Sequence, residues 1–132
     1  MILPKDAVVA VVDGEKLVMF KNTGDHAPEL SALPPPEVIA GTAGSSGHPS
    51  SAANPDDSTK AEDGFAAGVA AMLNAQAMSG HFDHLLVIAA PKTLGELRKH
   101  WGKPLQAKLV GELAKDLTGM TGDQIAKAIT NA

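Results

Sequence analysis

The chain has 132 residues, a formal net charge of −4, 44% apolar and 20% charged residues, which is the make-up of one folded domain and lies outside both the disordered and the strongly basic, nucleic-acid-binding extremes. It contains no cysteine, so disulfides, thiol catalysis and thiolate metal sites are excluded together. Aromatic residues make up only 3%, which calls for an aliphatic, alanine-rich core and leaves almost no material for aromatic platforms that stack nucleic-acid bases.

The opening segment, MILPKDAVVAVVDG, has no basic region ahead of its apolar run, and that run spans only residues 7–12. It does not read as a signal peptide, and nothing in the chain approaches the roughly 20 apolar residues of a membrane span, so a cytoplasmic protein without a membrane span is expected. Residues 7–12 are apolar at every position and predict a strand covered on both faces. Asp13-Gly14 is a hairpin signal, and Leu17-Val18-Met19-Phe20 supplies the partner strand, giving a hairpin over about residues 7–22. Residues 28–33 suit a short third strand, which Pro28 and the Pro34-Pro35-Pro36 run confine to a sheet edge.

Residues 34–60, with GTAGSSGHPSSAANPDDS at their centre, show neither helical nor strand periodicity and predict a long mobile loop. Within it Gly41, Gly44, Ser45, Ser46 and Gly47 could offer backbone N–H groups to an anion. The segment lacks the lysine and the strand context of a phosphate-binding loop. Thr59 and Glu62 have capping-box spacing and open a helix with Phe65, Val69, Met72, Leu73 and Gln76 on one face, widened by Ala66, Ala67, Ala70 and Ala71 and ended by Gly80.

The stretch FDHLLVIAAPKTLGELRKHW, residues 82–101, organises the rest. Its apolar run from Leu85 predicts a second doubly covered strand, stopped by Pro91; the Thr93-x-x-Glu96 spacing then opens a helix with Leu94, Leu97 and Trp101 inward and Arg98 and Lys99 outward. Gly102 and Pro104 interrupt that helix and a short turn follows. Residues 109–117 fit a helix and a strand alike, because leucines recur at every fourth position. Thr121 and Gln124 make a third capping box, with Ile125 and Ile129 docking a last helix.

The pattern F-D-x-L-x-V-x-A-x-P-x-T-L-G-x-L-R-K within residues 82–99 resembles the signature of the bacterial host attachment protein family, and the likeness extends to the opening hairpin, the helix from Ala61 and Lys115-Asp116-Leu117-Thr118. Asp13, Asp83, Thr93, Gly95 and Asp116 fall on its signature positions. The resemblance implies a strand rather than a helix over residues 109–117. It also implies one α/β domain over residues 1–132, with a mixed sheet: an antiparallel hairpin, then alternating strands and helices packed on the sheet, similar to the ribonuclease H-like arrangement. That order is similar to the middle domain of archaeal and eukaryotic class I release factors and Pelota. The family name implies a part in bacterial attachment to host cells, which for a leaderless chain is expected to be indirect.

Neither enzyme suggested by that fold finds its residues here. A ribonuclease H-type nuclease needs carboxylates converging on two metals, yet the first strand has none before Asp13 and the central one ends in Ala89-Ala90-Pro91. Release-factor ester hydrolysis needs a Gly-Gly-Gln loop, and the chain has none. His81 and His84 have a candidate metal spacing without an evident third ligand, so no metal and no cofactor is expected; Asp83 between them is assigned to bonding the turn backbone. Charge is more informative. Residues 92–115 carry Lys92, Arg98, Lys99, Lys103, Lys108 and Lys115 against Glu96 and Glu112, a local +4, while residues 1–91 carry −7. The expectation is a non-catalytic binding module with a basic face of Lys92, Arg98, Lys99, Lys103 and Lys108, for which ribosomal or RNA phosphate and an acidic protein surface are the open alternatives.

Overall fold

The computed structural model describes residues 3–34, 38 and 57–132, and the side chains of the last segment from residue 63 onward. Among them, strands β1 (Val8–Val12), β2 (Leu17–Asn22), β3 (Leu30–Ala32), β4 (Leu85–Ala89) and β5 (Leu109–Ala114) form one sheet in the order β3-β2-β1-β4-β5. Helices α1 (Asp57–Ser79), α2 (Pro91–Arg98), α3 (Lys103–Lys108) and α4 (Gly122–Thr130) complete the fold. Strands β1 and β2 are antiparallel, as are β2 and β3, whereas β4 lies parallel to both β1 and β5. This is the expected mixed sheet, with the three-residue β3 at its edge.

Every residue of β1 and β4 is buried. Alternation along each strand divides them between two cores. Val8, Ala10, Val12, Leu85, Val87 and Ala89 pack with residues of α1, α2 and α3, while Val9, Val11, Leu86 and Ile88 pack with Ile125 and Ile129 of α4. Helices on both faces are what make a wholly apolar run the right sequence for a central strand.

Helix α1 begins at Asp57, inside the stretch predicted as loop, so Thr59 lies within the helix rather than capping it. Its inner face is Ala66, Val69, Ala70, Leu73 and Ala77; Ala71, expected to be buried, is exposed because the stripe follows the 3–4 spacing through Ala70 instead. At its end, Gly80 adopts φ 76°, with Gly80 N–H donating to Ala77 O and His81 N–H to Gln76 O. Those two bonds make a Schellman cap, which requires a left-handed residue and therefore favours glycine.

Helix α2 starts at Pro91, not at Thr93. Ala90 is its N-cap without a side-chain bond, and Leu94 N–H donates to Ala90 O. Proline suits the first helical position, having no N–H to satisfy and a φ already near the helical value. Thr93 is thereby drawn into the first turn, and Glu96 is released for other bonds. The third box is present in full: Gln124 N–H donates to Thr121 Oγ1, and Thr121 N–H to Gln124 Oε1.

Residues 109–114 form a strand with a bulge. Leu85 pairs with Leu109 but Leu86 with Gly111, so Val110 is the extra residue. In a regular strand Leu109 and Leu113 would share a face. Here Leu109 packs into the α1–α3 core and Leu113 into the α4 core. The same shift sets Glu112 beside Val87, on the side covered by α2.

Candidate functional site

Two carboxylates lie beneath four cationic or N–H-bearing side chains on the flank formed by α2 and β5. Glu112 accepts from Arg98 Nε at 3.1 Å through one oxygen and from Trp101 Nε1 at 3.1 Å through the other. Glu96 accepts from Lys99 Nζ at 2.9 Å, and His100 Nε2 lies 3.6 Å from its second oxygen. The Lys99 hydrogen bond holds the Glu96 carboxyl below its ordinary range, and Glu96 in turn raises Lys99. Because the folded value of Glu96 is lowered, the stabilisation from this pair is present above the ordinary glutamate range and is lost as pH falls through the lowered value.

The acids are inboard and the bases outboard. The side chains of Glu112 and Glu96 are 19% and 20% exposed, those of Arg98 and Lys99 57% and 69%. The carboxylates thus orient the cations, which are the more exposed member of each pair. As ion pairs at a wet surface they add little to stability; their consequence is geometric.

The flank is fixed to the body of the domain by Asn74 of α1. Its Nδ2 donates to His100 O at 2.8 Å and its Oδ1 accepts from Gly102 N–H at 2.9 Å, pinning the corner between α2 and α3. A Cβ at position 102 would lie 3.2 Å from Asn74 Oδ1, a tight approach that would push on the amide making both bonds. Sequence reasoning identified neither Asn74 nor Glu112, since a polar residue on an amphipathic helix and an acid in an ambiguous segment look like solvated positions.

The predicted basic residues do not make one continuous patch of equivalent charges. Arg98 and Lys99 end α2, and Lys103 begins α3 with an exposed side chain. Lys92 is exposed in the first turn of α2, at the other end of that helix. Lys108 turns inward, its Nζ donating to Ala77 O at 2.9 Å and Phe82 O at 3.1 Å, where it neutralises the carbonyl end of α1. Lys108→Met is accordingly expected to cost about 1–2 kcal/mol of stability, from two charge-assisted bonds. Chemical denaturation and binding measured on the same sample check this: the midpoint should fall, and binding by the α2 flank should persist.

The signature positions divide between the two ends of the sheet. Val12 pairs with Ala89 and Ala89 with Ala114, so Asp13, Ala90 and Lys115 leave the sheet side by side at its carboxyl edge, near Thr93 and Asp116. Asp13 Oδ1 accepts from Glu15 N–H and Lys16 N–H, closing the β1–β2 turn, and Asp116 Oδ1 accepts from Thr118 Oγ1 at 2.9 Å. Gly95 has open space where a Cβ would project. Asp83 sits exposed at the opposite edge, before β4. It does not bond the turn backbone as expected; that turn is closed by the α1 cap and by Lys108.

His81 and His84 are exposed, and no group of three or more His, Asp or Glu among the described residues is placed to hold a metal ion. The segment with Gly41, Gly44, Ser45, Ser46 and Gly47 lies outside the described residues. Among the described residues, no helix is long and apolar enough to cross a membrane.

No curated protein matches the chain. The model of bacterial archaeo-eukaryotic release factor family 12 matches residues 6–129, from the turn before β1 into the last turn of α4. The match takes in the five strands and four helices of the described residues, short of the last residue of α4, including the Asn74-pinned corner and the α2–β5 flank, and the chain therefore belongs to bacterial archaeo-eukaryotic release factor family 12.

Proposed function

We propose that this release-factor-family domain is a non-catalytic binding module that engages RNA phosphate, as on a ribosome, through Arg98, Lys99 and Lys103, and that its part in attachment to host cells is indirect. The observation that carries this reading is the inboard placement of Glu96 and Glu112 under outward-facing Arg98 and Lys99. A flank whose acids are turned inward presents its cations to a polyanion even though the whole chain is acidic. A hydrolase reading has less to stand on: the chain has no Gly-Gly-Gln, and the Asp13 carboxylate is engaged in its own turn.

Co-sedimentation of the purified protein with ribosomes across a salt series tests the proposal. Binding should weaken as salt rises, and the triple charge reversal of Arg98, Lys99 and Lys103 to Glu should lower affinity about tenfold or more with an unchanged thermal melt. Undiminished binding by that variant refutes the assignment of the flank. Absence of binding at low salt leaves the family kinship as one of fold.

A further inference from the structure

The contact between Arg98 and Glu112 uses one donor of a guanidinium that has five. Only Nε is engaged; among the described residues no bond is made by the two terminal nitrogens, and the side chain is more than half exposed. Glu112 is itself held from a second direction by the indole N–H of Trp101. Anchoring at Nε restrains the guanidinium while leaving its Nη edge free of partners among the described residues. That edge is the fork that fits two oxygens of one oxyanion.

Resting on the function proposed above, we infer that Glu112 is a positioning residue for ligand binding. Together with Trp101 it aims the Nη fork of Arg98 at a phosphate group of the bound RNA, with Lys99 adding a point charge beside it. The chemistry distinguishes this from simple attraction. A long side chain that must be immobilised on binding costs about 0.5–1.5 kcal/mol, and anchoring Nε in advance removes part of that cost. Glu112 carries a negative charge close to the site, so electrostatics alone makes it an opponent of anion binding. The two accounts give opposite signs for its removal.

The experiment measures anisotropy of a fluorescein-labelled oligouridylate titrated with the full chain, for wild type and for Glu112→Gln, Trp101→Phe and Arg98→Lys. Positioning predicts that Glu112→Gln weakens binding by about threefold although it removes a negative charge. Trp101→Phe, which changes no charge, should weaken binding in the same direction by a smaller factor, and it carries the test if Glu112→Gln does not fold. Arg98→Lys keeps the charge and loses the fork, so affinity should fall about tenfold. Tighter binding by Glu112→Gln overturns the inference and leaves the basic-flank reading standing. Absence of binding by the wild type removes that reading and the inference with it. Inorganic tripolyphosphate should displace the oligonucleotide and polyglutamate should not; equal displacement by polyglutamate overturns the assignment to phosphate.

Discussion

Replacing Asn22 with Leu is expected to lower the unfolding free energy by about 3 kcal/mol, a larger loss than deletion of any one surface ion pair could give. Asn22 is the one polar side chain among the described residues that is wholly buried. Its Nδ2 donates to Leu3 O at 3.1 Å and Pro4 O at 3.0 Å, and its Oδ1 accepts from Gly24 N–H and Glu29 N–H at 3.0 Å each. Its own backbone bonds Ala7 O and Asp6 N–H. One side chain therefore ties the segment entering β1 to the connection between β2 and β3. Leucine has similar bulk but leaves the Leu3 carbonyl and the Gly24 and Glu29 N–H groups without their partner, while Pro4 O keeps only its bond from Ala7 N–H. The turn held by Asn22 is also closed to other side chains at position 24, because a Cβ there would collide with the Ala27 carbonyl oxygen. Urea denaturation should show a lower midpoint with an unchanged slope. A loss below about 1 kcal/mol would mean that water replaces the side chain at these groups, and the hub would not exist.

Asn22 also illustrates where sequence reading stops. Strands β1 and β4 were legible because a run apolar on both faces has few other uses, and the capping box at Thr121 because both of its bonds are local. Asn22 was not legible: its four partners are between two and nineteen residues away, and only the folded hairpin brings them together. The box spacings at Thr59 and Thr93 misled for a related reason. A Thr-x-x-Glu pattern reports that a cap can form, but Pro91 is a stronger start signal than Thr93, and α1 extends to Asp57. The ambiguity over residues 109–117 came from leucines at every fourth position, a spacing shared by helix and strand, and the bulge at Val110, which puts Leu109 and Leu113 on opposite faces, could not be read from it. In the candidate site, the outward cations were visible in the sequence as a local excess of charge. The inboard carboxylates were not, since Glu96 and Glu112 come from different elements and enter a charge count only as subtractions.

Leu97→Ala is expected to cost about 3 kcal/mol and to weaken RNA binding as well, although it touches no charge. Leu97 is fully buried in the α1–α3 core, one residue before Arg98. Helix α2 has eight residues, too few to persist without docking, and Leu94 and Leu97 are its buried anchors. A cavity at Leu97 therefore loosens the turn that carries Arg98 and Lys99 and disturbs the bond between Arg98 and Glu112. Ile129→Ala supplies the comparison: it is equally buried, but on α4 and in the core on the opposite face of the sheet. Its stability cost should be similar, and binding measured well below the unfolding transition should match wild type. Both variants are compared by denaturant titration and by anisotropy of the labelled oligouridylate. Equal loss of binding in the two would mean that affinity follows global stability. Loss in Leu97→Ala alone would place the determinant in the docking of α2, because the two faces of one sheet share a fold but only one of them holds the cations in place.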